Sequence, residues 1–129
     1  MKLMDMTLTQ FLNEVDSPSP APGGGSVGAL VGGIGASLGR MVAHLSFGKK
    51  KYNAHPEEAF EKNFVRLLEV KNELGRLVDA DTDAYNLVMG AYKLPKDTEE
   101  QKVAREAEIQ KNLKLAVQTP YETVMYCAE

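Results

Sequence analysis

Two places in this sequence combine residue types that could do chemistry. The first is Pro22-Gly23-Gly24-Gly25-Ser26. Three glycines leave backbone N–H groups free to point at a ligand, and a helix starting there would offer its positive end. That combination suits an anion or a carbonyl-rich ligand. The plainer account is a flexible turn with Ser26 as a helix N-cap. The second place is Asp81, which falls in an apolar stripe at helical spacing. A carboxylate there must be paired, carry a raised pKa or line a pocket. A buried ion pair with an arginine of a neighbouring helix is the competing account. Asp79 and Asp83 are four apart and share a different face, so the three acids form no single cluster, and a solvated acidic face explains those two.

Two basic corners accompany these places. Lys49-Lys50-Lys51-Tyr52 follows the glycine-rich segment, and Lys93-Leu94-Pro95-Lys96 follows the Asp81 stripe. A helix dipole favours basic residues at a C-terminus, but three lysines in a row beside a glycine and a tyrosine exceed that need. The net charge is −3, which argues against nucleic acid as a partner. A local cationic site on an acidic chain suits a small anion better than a polyanion.

Other chemistries find little support. Gly23-Gly24-Gly25-Ser26-Val27-Gly28 matches the dinucleotide fingerprint in form, but a Pro-Ser segment precedes it where that motif needs a strand. No Lys-Ser/Thr follows, so it is not a P-loop. His44 and His55 have no Cys or acid at ligand spacing, so no metal site is expected. Cys127 is the one cysteine, which excludes an internal disulfide, fits a reducing intracellular setting and reads as a core residue. The N-terminus shows no signal-peptide pattern, and the apolar run Val27 to Leu38 is too short for a membrane span of about 20 residues.

The elements that must position these residues are helices, because no alternating strand pattern persists. Thr7-Leu8-Thr9-Gln10 is a capping box with Met6 set to staple onto Phe11, and Leu8, Phe11, Leu12 and Val15 form one apolar face. Ser17 to Pro22 reads as extended, with prolines at alternate positions. A second helix is predicted from about Ser26 to near Gly48. Nine of the chain's 11 glycines lie from 23 to 48, which makes that helix poor by propensity. Its small-xxx-small pairs, Gly28/Gly32 and Gly35/Gly39, predict close backbone packing. A third helix is predicted from Pro56 to before Pro95, with the stripe Phe60, Phe64, Leu67, Lys71, Leu74, Val78, Asp81, Tyr85, Val88 and Tyr92. Thr98-Glu99-Glu100-Gln101 opens a fourth, and Thr119-Pro120-Tyr121-Glu122 opens a fifth that runs out at Glu129 without a terminator. The expectation is one all-α domain over residues 1–129, a multi-helical bundle with long central helices.

These blocks carry a resemblance. Phe11 to Tyr52, with Pro22-Gly23-Gly24-Gly25-Ser26 and Gly48-Lys49-Lys50-Lys51-Tyr52, is similar to the formiminotransferase-cyclodeaminase C-terminal domain family, which includes stand-alone methenyltetrahydrofolate cyclohydrolases. Val78 to Tyr85, Ala91 to Lys96 and the Ala116-x-x-x-Pro120 segment match further blocks in order. The resemblance implies a dimeric helical bundle with further C-terminal helices that this chain lacks. It implies a tetrahydrofolate substrate, polyglutamylated forms included, a cytoplasmic setting, and no metal or organic cofactor. Two reactions are implied: closure of 5-formiminotetrahydrofolate to 5,10-methenyltetrahydrofolate with loss of ammonia, and hydration of the methenyl compound to 10-formyltetrahydrofolate. On that chemistry Asp81 is the expected proton donor or charge partner, with Asp79 as fallback. Lys49, Lys50, Lys51 and Lys93 would meet folate carboxylates, and Pro22 to Ser26 would face the pterin or benzoyl amide. A non-catalytic helical interaction module is the competing class, and a nucleotide-binding role is third.

Overall fold

A computed structural model describes residues 1–46 and 57–129. Among them are a short 3-10 turn (Leu3–Asp5) and four α-helices, with no strand: α1 (Leu8–Val15), α2 (Gly24–Ser46), α3 (Glu57–Tyr92) and α4 (Glu99–Cys127). The all-α expectation holds. The long α3 lies in the middle, packed against α2 and against α4, while α2 and α4 touch each other less.

Local chemistry sets two of the helix starts. Thr7 and Thr98 each accept from the backbone N–H three residues on, of Gln10 and Gln101, both at 3.1 Å. In return the glutamine Oε1 atoms accept from the backbone N–H of Thr7 (2.9 Å) and Thr98 (3.1 Å). Both are complete capping boxes. Met6 packs against the core cluster that contains Phe11. The rest of the expected α1 face is not used, because Leu8 and Leu12 are exposed.

The core gathers Leu74, Leu77 and Val78 of α3 with Ala29 and Ala36 of α2, joined by Leu3 and Phe11. The expected α3 stripe is too narrow. Leu74, Val78 and Val88 are buried, but so are Leu77, Ala84 and Ala91, and Tyr92 is exposed. A helix covered on two sides buries more than one seam.

α2 packs inside out. Its buried residues are small, Ser26, Ala29, Ala36 and Ala43, whereas Val31, Ile34, Leu38, Met41, Val42 and Leu45 are exposed. The glycine pairs do not bring two backbones together. A Cβ on Gly32 would meet Cys127 Sγ at 2.6 Å and Leu74 Cδ1 at 3.0 Å, and one on Gly39 would meet Leu67 Cδ1 at 3.2 Å. Gly28 and Gly35 face open space. At Gly32 and Gly39 side chains from α3 and α4 occupy the room that glycine leaves. Cys127 is therefore an exposed residue at the α2–α4 contact, not a core residue. With its glycine-turn residues included, α2 has 23 residues and is long and apolar enough to cross a membrane by length and composition.

The fourth and fifth helices expected from sequence are one. α4 runs through Pro120 without a break. Its inward positions Ile109, Asn112, Ala116, Thr119 and Thr123 stay in phase across the proline, so packing continues where local capping chemistry predicted a fresh start. Asn112 Nδ2 donates to the Leu87 carbonyl (3.1 Å), which ties this face to α3.

Two substitutions check this account by urea midpoint. Thr98→Ala is expected to cost about 1 kcal/mol through loss of the cap. Leu77→Ala, in the fully buried centre of α3, is expected to cost about 2–5 kcal/mol.

Candidate functional site

Three helices meet at the glycine turn. The first α-helical hydrogen bond of α2 runs from the Val27 N–H to the Gly23 carbonyl (3.0 Å). The turn thus leads straight into the helix, with Pro22 buried beneath it after a cis Ala21–Pro22 bond. None of the three glycines holds a left-handed backbone conformation. Gly25 matters for a different reason. A Cβ there would lie 2.2 Å from Asp81 Oδ1 and 2.4 Å from Oδ2, so the Asp81 carboxylate rests directly on the first turn of α2. The negative group that meets the positive end of this helix is the chain's own.

Next to this contact, Ser26 is fully buried. Its hydroxyl donates to the Val78 carbonyl (2.6 Å) and lies 2.9 Å from Thr82 Oγ1. Because the single Ser26 proton is committed to Val78, the Thr82 hydroxyl is the donor to Ser26 Oγ. Ser26 is therefore a bolt between α2 and α3, placed two residues inside the helix rather than at its cap. From the other side, Thr119 of α4 donates to Asp81 Oδ1 (3.2 Å). The arginine partner considered for Asp81 is not formed among the described residues: Arg76 pairs with Glu73 and Glu122, and Arg66 with Glu69 and Glu129.

Asp79 does something else. Its Oδ1 accepts from the Leu3 N–H (2.6 Å) and its Oδ2 from the Met4 N–H (3.3 Å), so it anchors the N-terminal turn rather than facing solvent. With Lys2, Leu30, Ile34 and Lys71 it lines a groove of about 640 Å³. Lys93 is exposed just beyond the end of α3. It lies twelve positions after Asp81, about 18 Å at helical rise. Lys49, Lys50 and Lys51 lie outside the described residues.

A family model described as formiminotransferase-cyclodeaminase matches residues 7–129. The chain belongs to this family. It is 40% identical over 127 residues to a methenyltetrahydrofolate cyclohydrolase of Methylorubrum extorquens, covering 95% of this chain and 59% of that protein. It is 37% identical over 118 residues to the formimidoyltransferase-cyclodeaminase of Rattus norvegicus, covering 92% of this chain and 22% of that one. A formiminotetrahydrofolate cyclodeaminase from Thermotoga maritima, solved by crystallography, superposes with a TM-score of 0.79 at 30% identity, covering 97% of this chain and 58% of that chain. The chain thus spans well under two thirds of each of these relatives.

Within this cyclodeaminase-family fold, the structure brings Gly25, Ser26 and Asp81 together and leaves Lys93 apart. Sequence reasoning missed Thr82 and Thr119. Thr119 was visible only as a residue before a proline, where capping was the local explanation. Its place in the α4 stripe with Ile109, Asn112 and Thr123 was the signal that it faces α3.

Two outcomes follow. Gly25→Ala is expected to fold, because the end of the Asp81 side chain can swing away, but to displace the carboxylate. The carboxyl carbon-13 resonance of Asp81 reads that displacement. Asp79→Ala is expected to free the N-terminal turn, costing about 1.5–3 kcal/mol for hydrogen bonds to a charged acceptor, with faster exchange of the Leu3 and Met4 amides.

Proposed function

We propose that this chain works in folate one-carbon chemistry, as a 5,10-methenyltetrahydrofolate cyclohydrolase, a 5-formiminotetrahydrofolate cyclodeaminase, or both. One observation carries the reading. In a chain of this family, the Asp81 carboxylate sits on the first turn of α2 with Oδ1 held by Thr119, while Oδ2 has no hydrogen-bond partner among the described residues. That oxygen is available to a substrate. Asp79 is a poorer choice, because both of its oxygens already accept backbone N–H groups.

In the cyclodeaminase reaction, N10 attacks the formimino carbon and the bond to the departing nitrogen breaks. The departing nitrogen takes up the proton that N10 loses and one more before it leaves as ammonia, and Asp81 Oδ2 would deliver that second proton. In the hydration reaction the methenyl carbon is cationic. An ionised Asp81 stabilises that charge and takes a proton from the attacking water; the carbon–N5 bond of the adduct then breaks, N5 regains a proton from Asp81, and the formyl group stays on N10. The first-turn N–H groups of Gly24, Gly25 and Ser26 lack intrahelical partners by position and would receive a carbonyl of the pterin or benzoyl amide. Lys93, with Lys49, Lys50 and Lys51, would meet the glutamate carboxylates. Neither reaction calls on a metal or an organic cofactor. The same reading places the chain in the cytoplasm as a homodimer, with no nucleic-acid or membrane partner.

The test is turnover of 5,10-methenyltetrahydrofolate, followed by its absorbance, and ammonia release from 5-formiminotetrahydrofolate. Asp81→Asn is expected to lower kcat by about 10²–10⁴-fold with little change in KM, and Asp79→Asn to leave kcat within about threefold. Wild-type turnover in Asp81→Asn removes it as the acid. If the chain neither turns over these folates nor binds them by calorimetry, the non-catalytic helical module takes the place of this reading.

A further inference from the structure

We infer that Thr119 is a positioning residue for Asp81: its hydroxyl holds one carboxylate oxygen so that the other faces substrate. This rests on the functional reading of Asp81 given above. A hydroxyl inside a helix has a convenient acceptor in the carbonyl three or four residues back. Three other helix-interior hydroxyls here take that option, whereas Ser26 and Thr82 bond across the α2–α3 contact. Ser37 donates to the Gly33 carbonyl (2.8 Å), Ser46 to the Val42 carbonyl (2.7 Å) and Thr123 to the Thr119 carbonyl (3.2 Å). Thr119 has an unusually good local acceptor. Residue 120 is proline and has no N–H, so the Ala116 carbonyl, three residues before Thr119, loses its helical donor. The Thr119 hydroxyl nevertheless crosses to α3 and donates to Asp81 Oδ1 at 3.2 Å.

The surroundings make this bond directional. A threonine hydroxyl has one proton, so donating it to Asp81 excludes the local carbonyls. The backbone of Gly25 lies against the carboxylate from the α2 side, so close that a Cβ there would come within 2.2–2.4 Å of its atoms. Ser26 and Thr82, the residues that follow Gly25 and Asp81, lock α2 to α3 at 2.9 Å. Backbone register, steric wall and hydrogen-bond donor thus come from three helices and converge on one carboxylate. Oδ1 is occupied, and Oδ2 is left for the proton that moves. Thr119 touches Asp81 and acts through it.

The experiment compares Thr119→Val, which keeps the shape and removes the donor, with Thr119→Ser, which keeps the donor. Both are measured in the full chain with the two folate substrates. The Asp81 carboxyl carbon-13 resonance, assigned through Asp81→Asn, is recorded in parallel. Thr119→Val is expected to lower kcat about 10- to 100-fold with KM within about twofold, as for loss of one hydrogen bond to a charged group. It should also shift the Asp81 resonance, and Thr119→Ser should restore both readouts. The inference is overturned if Thr119→Val leaves the resonance unmoved, or if Thr119→Ser loses as much activity as Thr119→Val. The resonance decides the positioning role even without turnover. If the wild-type chain turns over neither folate while the resonance moves in Val and returns in Ser, the folate reading fails and the Thr119–Asp81 coupling stands.

Discussion

The buried Ser26 hydroxyl, bonded to the Val78 carbonyl and to Thr82, is the contact on which the rest depends. A hydroxyl with no access to water must find partners or pay a desolvation penalty, so α2 can lie on α3 only where those partners are. That register brings Gly25 against Asp81 and the alanines of α2 against Leu74, Leu77 and Val78. The contact of Gly25 with Asp81 at the candidate site follows from it.

The same register explains the composition of α2. Small residues on the α3 side permit the close approach, and the bulky ones face outward. The glycines serve particular side chains: Gly25 admits a carboxylate, Gly32 admits Leu74 and Cys127, and Gly39 admits Leu67. A helix so weak by propensity is held by what packs into it.

The acids of α3 divide their work by helical phase. Asp79 and Asp81 are two residues apart, so they leave the helix in nearly opposite directions. One meets the backbone of the N-terminal turn and the other meets α2 and α4. A carboxylate that anchors the N-terminal turn and one that bridges α2 and α4 therefore coexist within a single turn. The chain shares its family with the Methylorubrum cyclohydrolase and the Thermotoga cyclodeaminase.

Local chemistry in the sequence was enough for the helical class and both threonine capping boxes, and it singled out the glycine turn and Asp81, which the structure brings into contact. These depend on neighbours within about one helical turn, and such rules need no knowledge of the rest of the chain. Tertiary structure alone decided the remainder. It made Gly25 a seat for Asp81 instead of a flexible hinge, turned Ser26 from a cap into a bolt, gave Asp79 to the N-terminal turn, carried α4 through Pro120, and delivered Thr119 to a carboxylate 38 residues away. Each of those outcomes was set by a partner distant in sequence, and a hydroxyl or a glycine carries no mark of which partner will arrive.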